Sequence, residues 1–308
     1  MSRLPCPPLP DWIDAMMPRG YERYRLAVGD DQEMAVMVVG AGRPVLMVHG
    51  NPTWSFLYRK VCQALLGEPF RLICPDLVGL GDSTRCGAAD HQLANHARWM
   101  SKLIEQLDIE DAIVVGQDWG GPIGFLGASS HPERFAGMVI LNTVVSPPRP
   151  GFKPTAFHRF ARMPVVSDLV FKWLEFPQRG LGFAQGDRAS IRGAVARAYR
   201  YPLRNRSERE APLALARMVP NNPEHPSIDE LARCRAYVEG FSGPVEVVWG
   251  ERDPVLGSVI GWIEKLLPDA NVTRTQAGHF IQEEEPGAIA AAIRRVSAAL
   301  QSSASVRA

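Results

Sequence analysis

The chain has 308 residues, enough for one large domain or two smaller ones. Its 34 basic and 33 acidic residues leave a formal net charge of +1, so the chain lacks the overall basic excess that is typical of nucleic-acid-binding proteins. The five cysteines are scattered and lack C-x-x-C spacing, so we expect no disulfide framework, no zinc site and a reducing, cytoplasmic compartment. We see no signal-peptide core and no apolar run near the roughly 18 residues that a membrane span needs.

Short apolar runs predict the strands of a sheet, because near-continuous Val, Ile and Leu are typical of strands buried on both faces. The predicted strands are Tyr21–Val28, Glu33–Val39, Pro44–Val48, Phe70–Cys74, Ala112–Val115, Gly137–Leu141, Val245–Trp249 and Asn271–Arg274. Helical stretches lie between most of them, including Ala94–Leu107 and Glu284–Leu300. This alternation predicts an α/β fold with a mostly parallel, eight-stranded sheet and helices on both faces.

The alternation stops at a proline-rich segment, residues 146–150, and resumes after a second one, residues 220–226. Such segments favour turns and hinges. We therefore predict an inserted helical cap at residues 146–225, between the two parts of a main domain at residues 1–145 and 226–308. The aromatic residues of this insert would form either its core or the ceiling of a pocket. They include Phe157, Phe160, Phe171, Trp173, Phe176 and Phe183.

Asp118 stands in the run GQDWG, directly after the apolar run that ends at Val115 and before a predicted helix. This is the strand–turn–helix setting of the nucleophile elbow of α/β-hydrolases, with aspartate in place of serine. A carboxylate there can attack a saturated carbon and form an ester, which water then hydrolyses. The alternative is that Asp118 only caps the following helix, since Asp is a favoured N-cap residue.

Hydrolysis of such an ester needs a base, and His279 is the candidate because it follows the last predicted strand. An imidazole with an ordinary pKa near 6.5 suits this work at neutral pH. The chain order of nucleophile, acid and base in α/β-hydrolases then requires an acid between Asp118 and His279. Asp253, just beyond the penultimate strand, is our candidate, although a turn role is open and Glu251 could compete.

A loop after the strand Pro44–Val48 carries the run HGNPTW, residues 49–54. A loop at this position normally supplies one backbone N–H group of an oxyanion hole. The side chain of Asn51 and the indole N–H of Trp119 add two neutral donors, which suit a departing anion. The alternative is that Asn51 caps a turn and Trp119 packs in the core. We interpret His49 as a structural brace of this loop.

These segments resemble the haloalkane dehalogenases over most of the chain, strongly in the main domain and weakly in much of the cap. The resemblance rests on the runs HGNPTWSFLYR (residues 49–59), GQDWGG (116–121), DLVGLGDS (76–83) and AYRYPL (198–203). It implies an α/β-hydrolase fold in which Asp118 is the nucleophile and His279 the base. It also implies that Asn51 and Trp119 bind the halide and that their backbone N–H groups form the oxyanion hole.

Members of the family differ in the position of the acid. Some have a Glu after the sixth strand, where this chain has Asn142, and others have an Asp after the seventh strand, which corresponds to Asp253. The chain therefore matches the second pattern. The resemblance implies a halogenated organic substrate and water, an alcohol, a halide and a proton as products, and no cofactor or metal.

Three other functions stay open on the sequence. An epoxide hydrolase has the same nucleophile, base and fold, but it needs a proton donor, typically two cap tyrosines, and here the insert has only the near neighbours Tyr199 and Tyr201. A luciferase-like monooxygenase and a non-catalytic small-molecule receptor on the same fold are the others. The intact set of Asp118, Asp253 and His279 argues against the receptor.

The insert has a charge asymmetry that the whole-chain composition hides. Between Gly151 and Pro220 there are 13 basic and 5 acidic residues, a balance of +8 against −7 for the rest of the chain. This is either a solvated helical surface or a cationic face that docks on acidic surfaces of the same chain or of a neighbouring one. We therefore regard the protein as a possible homo-oligomer, with no nucleic-acid or membrane partner.

Overall fold

A computed structural model describes residues 3–29, 31–149, 151–152 and 156–307, with side chains up to residue 302. Residues 30, 150 and 153–155, the last four in the predicted cap, lie outside the described part of the chain. The strands are β1 (Leu4–Pro5), β2 (Glu22–Ala27), β3 (Glu33–Val39), β4 (Arg43–Val48), β5 (Phe70–Pro75), β6 (Ala112–Gln117), β7 (Phe135–Leu141), β8 (Val245–Gly250) and β9 (Asn271–Thr275).

The strands form one nine-stranded sheet in the order β1-β2-β3-β5-β4-β6-β7-β8-β9. Strands β1, β2, β3 and β5 pair antiparallel, and every pair from β5 through β9 is parallel. All eight predicted strands are present, but the count of eight is wrong by one. The extra strand is the two-residue β1. It is too short to give a period-2 signal, and the sequence around it is rich in proline.

Helices cover both faces of the sheet, as predicted. They are α1 (Asp11–Asp14), α2 (Arg59–Ala64), α3 (Leu93–Leu107), α4 (Gly120–Ser129), α5 (Ala156–Ala161), α6 (Val166–Trp173), α7 (Gly193–Arg200), α8 (Glu210–Arg217), α9 (Ser227–Glu239), α10 (Ile260–Leu266), α11 (Ile281–Glu284) and α12 (Pro286–Arg307). Residues of α3, α4, α9 and α10 bury one face in a large apolar cluster. Residues of α2, α11 and α12 bury the other. The final helix begins at Pro286 rather than Glu284, since proline is favoured at the first helical position.

The segment between β7 and α9 is helical and contains α5 to α8. It has a small core of its own around the fully buried Phe171, whose ring packs edge-on against Phe176 at 5.5 Å between centroids. Phe157 and Phe160 complete this cluster, so four of the six predicted aromatics form a core. Trp173 is 56% exposed and belongs to neither core nor pocket. The division into main domain and cap at residues 146 and 225 stays a prediction.

The parallel strands bring their carboxyl ends to one edge of the sheet, where open α/β sheets place their sites. Asn51, Asp118 and Asn142 follow β4, β6 and β7, and Asp253 and His279 follow β8 and β9. Within the described part of the chain, no helix is both long and apolar enough to cross a membrane.

Candidate active site

Asp118 occupies a strained turn between β6 and α4. Its φ angle is +50°, a left-handed conformation that is uncommon for a residue other than glycine. A Cβ atom at Gly116 would lie 2.6 Å from the Cα atom of Gly121, and one at Gly120 would overlap the carbonyl oxygen of Val48. Both positions therefore require glycine. Helix α4 has Trp119 at its N-cap and no side-chain capping bond, so the capping alternative for Asp118 is wrong.

The two carboxylate oxygens of Asp118 have different partners. Oδ1 accepts a hydrogen bond from the backbone N–H of Asn51 at 2.8 Å, and Oδ2 lies 3.6 Å from Nε2 of His279. The backbone is fixed as well, because Asp118 donates to the carbonyl of Asn142 at 3.0 Å and its own carbonyl accepts from the Thr143 hydroxyl at 2.6 Å. The carboxylate is thus held with one oxygen engaged and the other beside the imidazole.

His279 and Asp253 form a close pair. Nδ1 of His279 lies 2.8 Å from Oδ2 of Asp253, which fixes the ring so that Nε2 faces Asp118. The other oxygen of Asp253 accepts from the backbone N–H groups of Val255 and Leu256 at 2.7 and 3.0 Å. Burial raises the pKa of Asp253, but His279 and these donors outweigh burial and hold the pKa below its usual value.

The alternative acid, Glu251, is not part of the site. Its carboxylate pairs with Arg274 at 2.8 Å on the surface. Asn142 has a role that the sequence did not reveal. Its amide N–H donates to Oδ2 of Asp253 and to the carbonyl of Gly250, both at 2.9 Å, and its oxygen accepts from the Gly250 N–H at 2.8 Å. Asn142 therefore ties the end of β7 to the acid after β8.

The charge environment of His279 differs from the sequence expectation. Burial alone would lower the pKa of this imidazole, but the carboxylates of Asp253 and Asp118 raise it to about 10. An unperturbed value near 6.5 is therefore wrong for the folded protein. The two carboxylates therefore favour the protonated imidazole, because they face its ring nitrogens from opposite sides.

The loop after β4 is braced by His49, as predicted. Nε2 of this buried imidazole accepts from the backbone N–H of Leu77 at 3.0 Å, and Nδ1 lies 2.9 Å from the Gly50 carbonyl. A Cβ atom at Gly50 would overlap the carboxylate of Asp118, so the loop approaches this carboxylate as closely as glycine allows. The side chain of Asn51 donates to the carbonyl of Pro212 at 2.9 Å, which fixes the amide against α8 and leaves its second N–H group for another acceptor.

A cavity of about 1140 Å³ opens above these residues, between the sheet and the inserted helices. Asn51, Asp118, Trp119 and His279 line its floor, so the structure brings the predicted halide-site residues to the same space as the predicted nucleophile. Asp253 lies behind His279 and is not exposed to the cavity. The cavity wall from the insert is mostly apolar. It includes Phe157, Phe176, Leu181, Phe183 and Ala216.

Two further observations concern the insert. Neither Tyr199 nor Tyr201 lines the cavity, and the hydroxyl of Tyr199 instead donates to Oε1 of Glu283 at 2.5 Å in a buried cluster. His158 of α5 does line the cavity, which the sequence did not indicate because a single histidine on a short helix carries no motif.

The fold and this arrangement define an α/β-hydrolase, and residues 43–286 match the family model for the alpha/beta hydrolase fold. Haloalkane dehalogenase 2 of Mycobacterium tuberculosis is 33% identical over 257 residues, covering 82% of this chain and 87% of its own. The chain therefore belongs to the haloalkane dehalogenases within the alpha/beta hydrolase family.

Solved structures support the same fold. The tetrameric haloalkane dehalogenase DpaA from Paraglaciecola agarilytica has a TM-score of 0.80 at 24% identity, covering 96% of this chain and 98% of its own. The epoxide hydrolase CorEH is a more distant neighbour, with a TM-score of 0.73 at 19% identity and coverage of 91% and 99%. At these identities the two likenesses indicate the fold alone.

Proposed function

We propose that this protein hydrolyses carbon–halogen bonds in organic substrates through a covalent ester on Asp118. The proposal rests on the different contacts of the two carboxylate oxygens of Asp118. The backbone N–H of Asn51 holds Oδ1, which leaves Oδ2 to attack, beside His279 and at the floor of a large apolar cavity. An anionic nucleophile among apolar side chains is less solvated than in bulk water and therefore more reactive toward a saturated carbon.

In the first step, Oδ2 of Asp118 attacks the carbon in line with the halogen, and the carbon–halogen bond breaks as the ester bond forms. The departing halide takes the bonding electrons. The indole N–H of Trp119 and the second N–H of the Asn51 amide are the donors in the cavity that would receive it. Donors already held in place stabilise charge as it develops, because they need no reorganisation.

In the second step, water attacks the ester carbonyl carbon. Alkylation converts Asp118 into a neutral ester, so one of the two carboxylates that raise the pKa of His279 no longer carries charge. The imidazolium then loses its proton to solvent more readily, and the neutral Nε2 accepts a proton from the attacking water. Oδ1 becomes the oxyanion, next to the Asn51 N–H and the predicted second donor at Trp119. Collapse of this intermediate breaks the ester C–O bond, and the departing alkoxide takes a proton from His279 to leave as the alcohol. The carboxylic acid left at Asp118 returns its proton to the imidazole, which regenerates the Asp118 carboxylate.

Epoxide hydrolysis on the same residues is less well supported. Ring opening leaves an alkoxide that needs a proton donor in the cavity, and neither Tyr199 nor Tyr201 is there. A luciferase-like monooxygenase or a receptor has no specific observation in its favour.

The experiment that tests the proposal is a panel of bromoalkanes of different chain length, with bromide release as the readout, beside a matched panel of epoxides with diol formation as the readout. We expect bromide release in the first panel and little diol in the second. Diol formation without bromide release would contradict the proposed reaction and favour the epoxide hydrolase.

We further propose that the protein acts in the cytoplasm and assembles with copies of itself. The salt bridges that residues 151–220 make within the described part of the chain all stay inside that segment, so ion pairs to its own main domain do not balance its charge of +8. Light scattering coupled to size exclusion, from low salt to about 1 M, where the Debye length is about 3 Å, tests assembly. We expect the molar mass to fall as the salt concentration rises. A constant molar mass would contradict assembly through charge.

A further inference from the structure

The loop that carries His279 is held by a short segment of the insert, residues 184–187. The backbone N–H of His279 donates to the carbonyl of Ala184 at 2.7 Å. The side-chain amide of Gln185 then binds both backbone groups of the next residue, since Oε1 accepts from the Phe280 N–H at 2.9 Å and Nε2 donates to the Phe280 carbonyl at 3.2 Å. The amide of Gln185 thus pairs with Phe280 as a strand backbone would.

Packing shows that this contact is built into the chain. A Cβ atom at Gly278 would overlap the carbonyl oxygen of Ala184 and the Cα atom of Gln185, and one at Gly186 would overlap the carbonyl oxygen of Gln276. Each segment has glycine where it approaches the backbone of the other. Glu284 adds a further connection, because its carboxylate accepts from the backbone N–H groups of residues 186, 187 and 278 at 3.1, 2.7 and 3.0 Å.

The contact is buried, and it accounts for most of the backbone hydrogen bonds next to the base. Gln185 is 6% exposed and Phe280 is 2% exposed. Among the described residues, three of the four backbone groups of His279 and Phe280 have a partner in residues 184–187. The fourth, the His279 carbonyl, accepts from the side chain of Gln117 in the main domain at 3.0 Å. The insert therefore supplies the acceptors of both N–H groups and shares the Phe280 carbonyl with the Glu283 N–H, which donates to it at 2.9 Å, so it helps to hold the backbone of the general base.

The two chemical steps make different demands on this positioning. In the free enzyme, Asp253 and the charged Asp118 attract the imidazole of His279 from opposite sides. After alkylation, Asp118 is a neutral ester and that attraction is lost on the Nε2 side. The ring must then hold a water molecule against the ester carbonyl, with only Asp253 and its own backbone to orient it.

We propose that Gln185 is a positioning residue for the hydrolytic step, through which the insert holds the His279 loop while water attacks the ester. This inference rests on the proposed function. It predicts that loss of the Gln185 amide slows ester hydrolysis and leaves alkylation of Asp118 nearly unchanged, because His279 takes no proton in the first step.

The test compares Gln185→Met with wild type in rapid-quench experiments on 1-bromohexane. Methionine has a similar length and no amide, so it removes the two hydrogen bonds with little change in volume. A misplaced catalytic group can cost up to about 10²-fold, so we expect hydrolysis to slow by on the order of 10- to 100-fold. Bromide should appear in a burst approaching one per active site at the wild-type rate, with the hexyl ester accumulating on Asp118.

Two controls separate positioning from general damage. Gln185→Glu keeps an acceptor for the Phe280 N–H, so its rate of ester hydrolysis should fall less than that of Gln185→Met. Ser190→Ala removes only the outer partner of the Gln185 amide, at 3.1 Å, and should leave both steps near wild type. A fall of alkylation and hydrolysis by the same factor in Gln185→Met, or unchanged hydrolysis, would overturn the inference.

A measurement that does not depend on activity, amide hydrogen exchange, distinguishes a failure of this inference from a failure of the proposed function. Amide hydrogen exchange at Phe280 should be at least several-fold faster in Gln185→Met than in wild type, since its N–H loses the one acceptor that it has within the described part of the chain. Exchange that stays unchanged would overturn the role of Gln185, whatever the substrate. A wild-type enzyme that releases no bromide would instead contradict the proposed function.

Discussion

The parallel part of the sheet and the inserted helices both face the cavity, but they hold their residues in different ways. Strands β4 and β6 lie in the centre of the sheet, and all six residues of β6 are buried. Asp118 follows directly and has almost no freedom. The insert is built from short helices around Phe171, and it reaches the site through side-chain and backbone contacts such as those of Gln185. The sheet therefore fixes the proposed reacting groups, whereas the insert forms much of the cavity wall and contacts the loop of the proposed base.

The largest expected effect lies on the sheet side. Asp253→Asn should keep the size of the side chain but remove the charge that stabilises the imidazolium of His279. The corresponding change in a serine protease costs about 10⁴-fold, and we expect a turnover loss of that order here. A burst of bromide should survive, because alkylation does not use the base. Steady-state turnover and burst amplitude on 1-bromohexane measure this. Turnover within about tenfold of wild type would mean that another carboxylate orients His279.

The next effect tests whether the insert has a core of its own. Phe171→Ala removes a fully buried ring, and such changes cost about 3–5 kcal/mol of unfolding free energy. Trp173→Ala on the same helix is the control, since an exposed ring stacked under Arg206 contributes about 0.5–1 kcal/mol. Hydrogen exchange should show the loss confined to residues 156–217. Equal destabilisation of β6 would mean that the two regions unfold as one unit.

A smaller effect tests the halide site, where both regions meet. Asn51→Ala removes an amide that α8 holds through the carbonyl of Pro212. Loss of one preorganised donor typically slows turnover by about 10²–10³-fold. Chloride inhibition should weaken in parallel, while denaturant unfolding should show a folded protein. Unchanged turnover together with unchanged chloride inhibition would place the leaving group elsewhere.

The smallest effect is a pH dependence of stability. The pKa of His279 is raised in the folded state to about 10, so its charge stabilises the fold fully below the unfolded value near 6.5 and this stabilisation is lost as pH rises toward 10. From pH 7 to 9, wild type should lose up to about 1.4 kcal/mol of unfolding free energy per pH unit relative to His279→Gln. Urea unfolding of both proteins across this range measures the difference. Parallel stability curves would show that His279 is not protonated in the folded protein.

The sequence predicted the sheet side of the site well, for physical reasons. Buried strands produce continuous apolar runs, and the residue after each run must lie at one edge of the sheet. Asp118, Asp253 and His279 could therefore be placed together without coordinates. Asn142 was noticed only as a departure from a pattern, since its contact with Asp253 depends on the pairing of β7 with β8. The raised pKa of His279 could not be predicted from the sequence, because it depends on the distances from the imidazole to two carboxylates.

The insert was much less predictable. Its aromatic content indicated a core or a pocket wall, but no pattern in the sequence separates Phe171, which is buried, from Trp173, which is exposed. Gln185 binds a residue 95 positions away, and a lone Gln in a loop carries no signal. Whether one segment packs on another depends on the whole fold. The need for glycine at positions 186 and 278 is visible only in the structure, where each lies against the backbone of the other segment.

The central claim is that the Asp118 carboxylate forms the covalent ester and His279 is needed only for its hydrolysis. The most direct measurement is intact-protein mass spectrometry of His279→Phe after exposure to 1-bromohexane, with His279→Gln as a second variant should the larger ring perturb folding. The account predicts the mass of one added hexyl group, and peptide mapping should locate it on Asp118. No adduct on either folded variant, or an adduct on a cysteine, would contradict the two-step reaction.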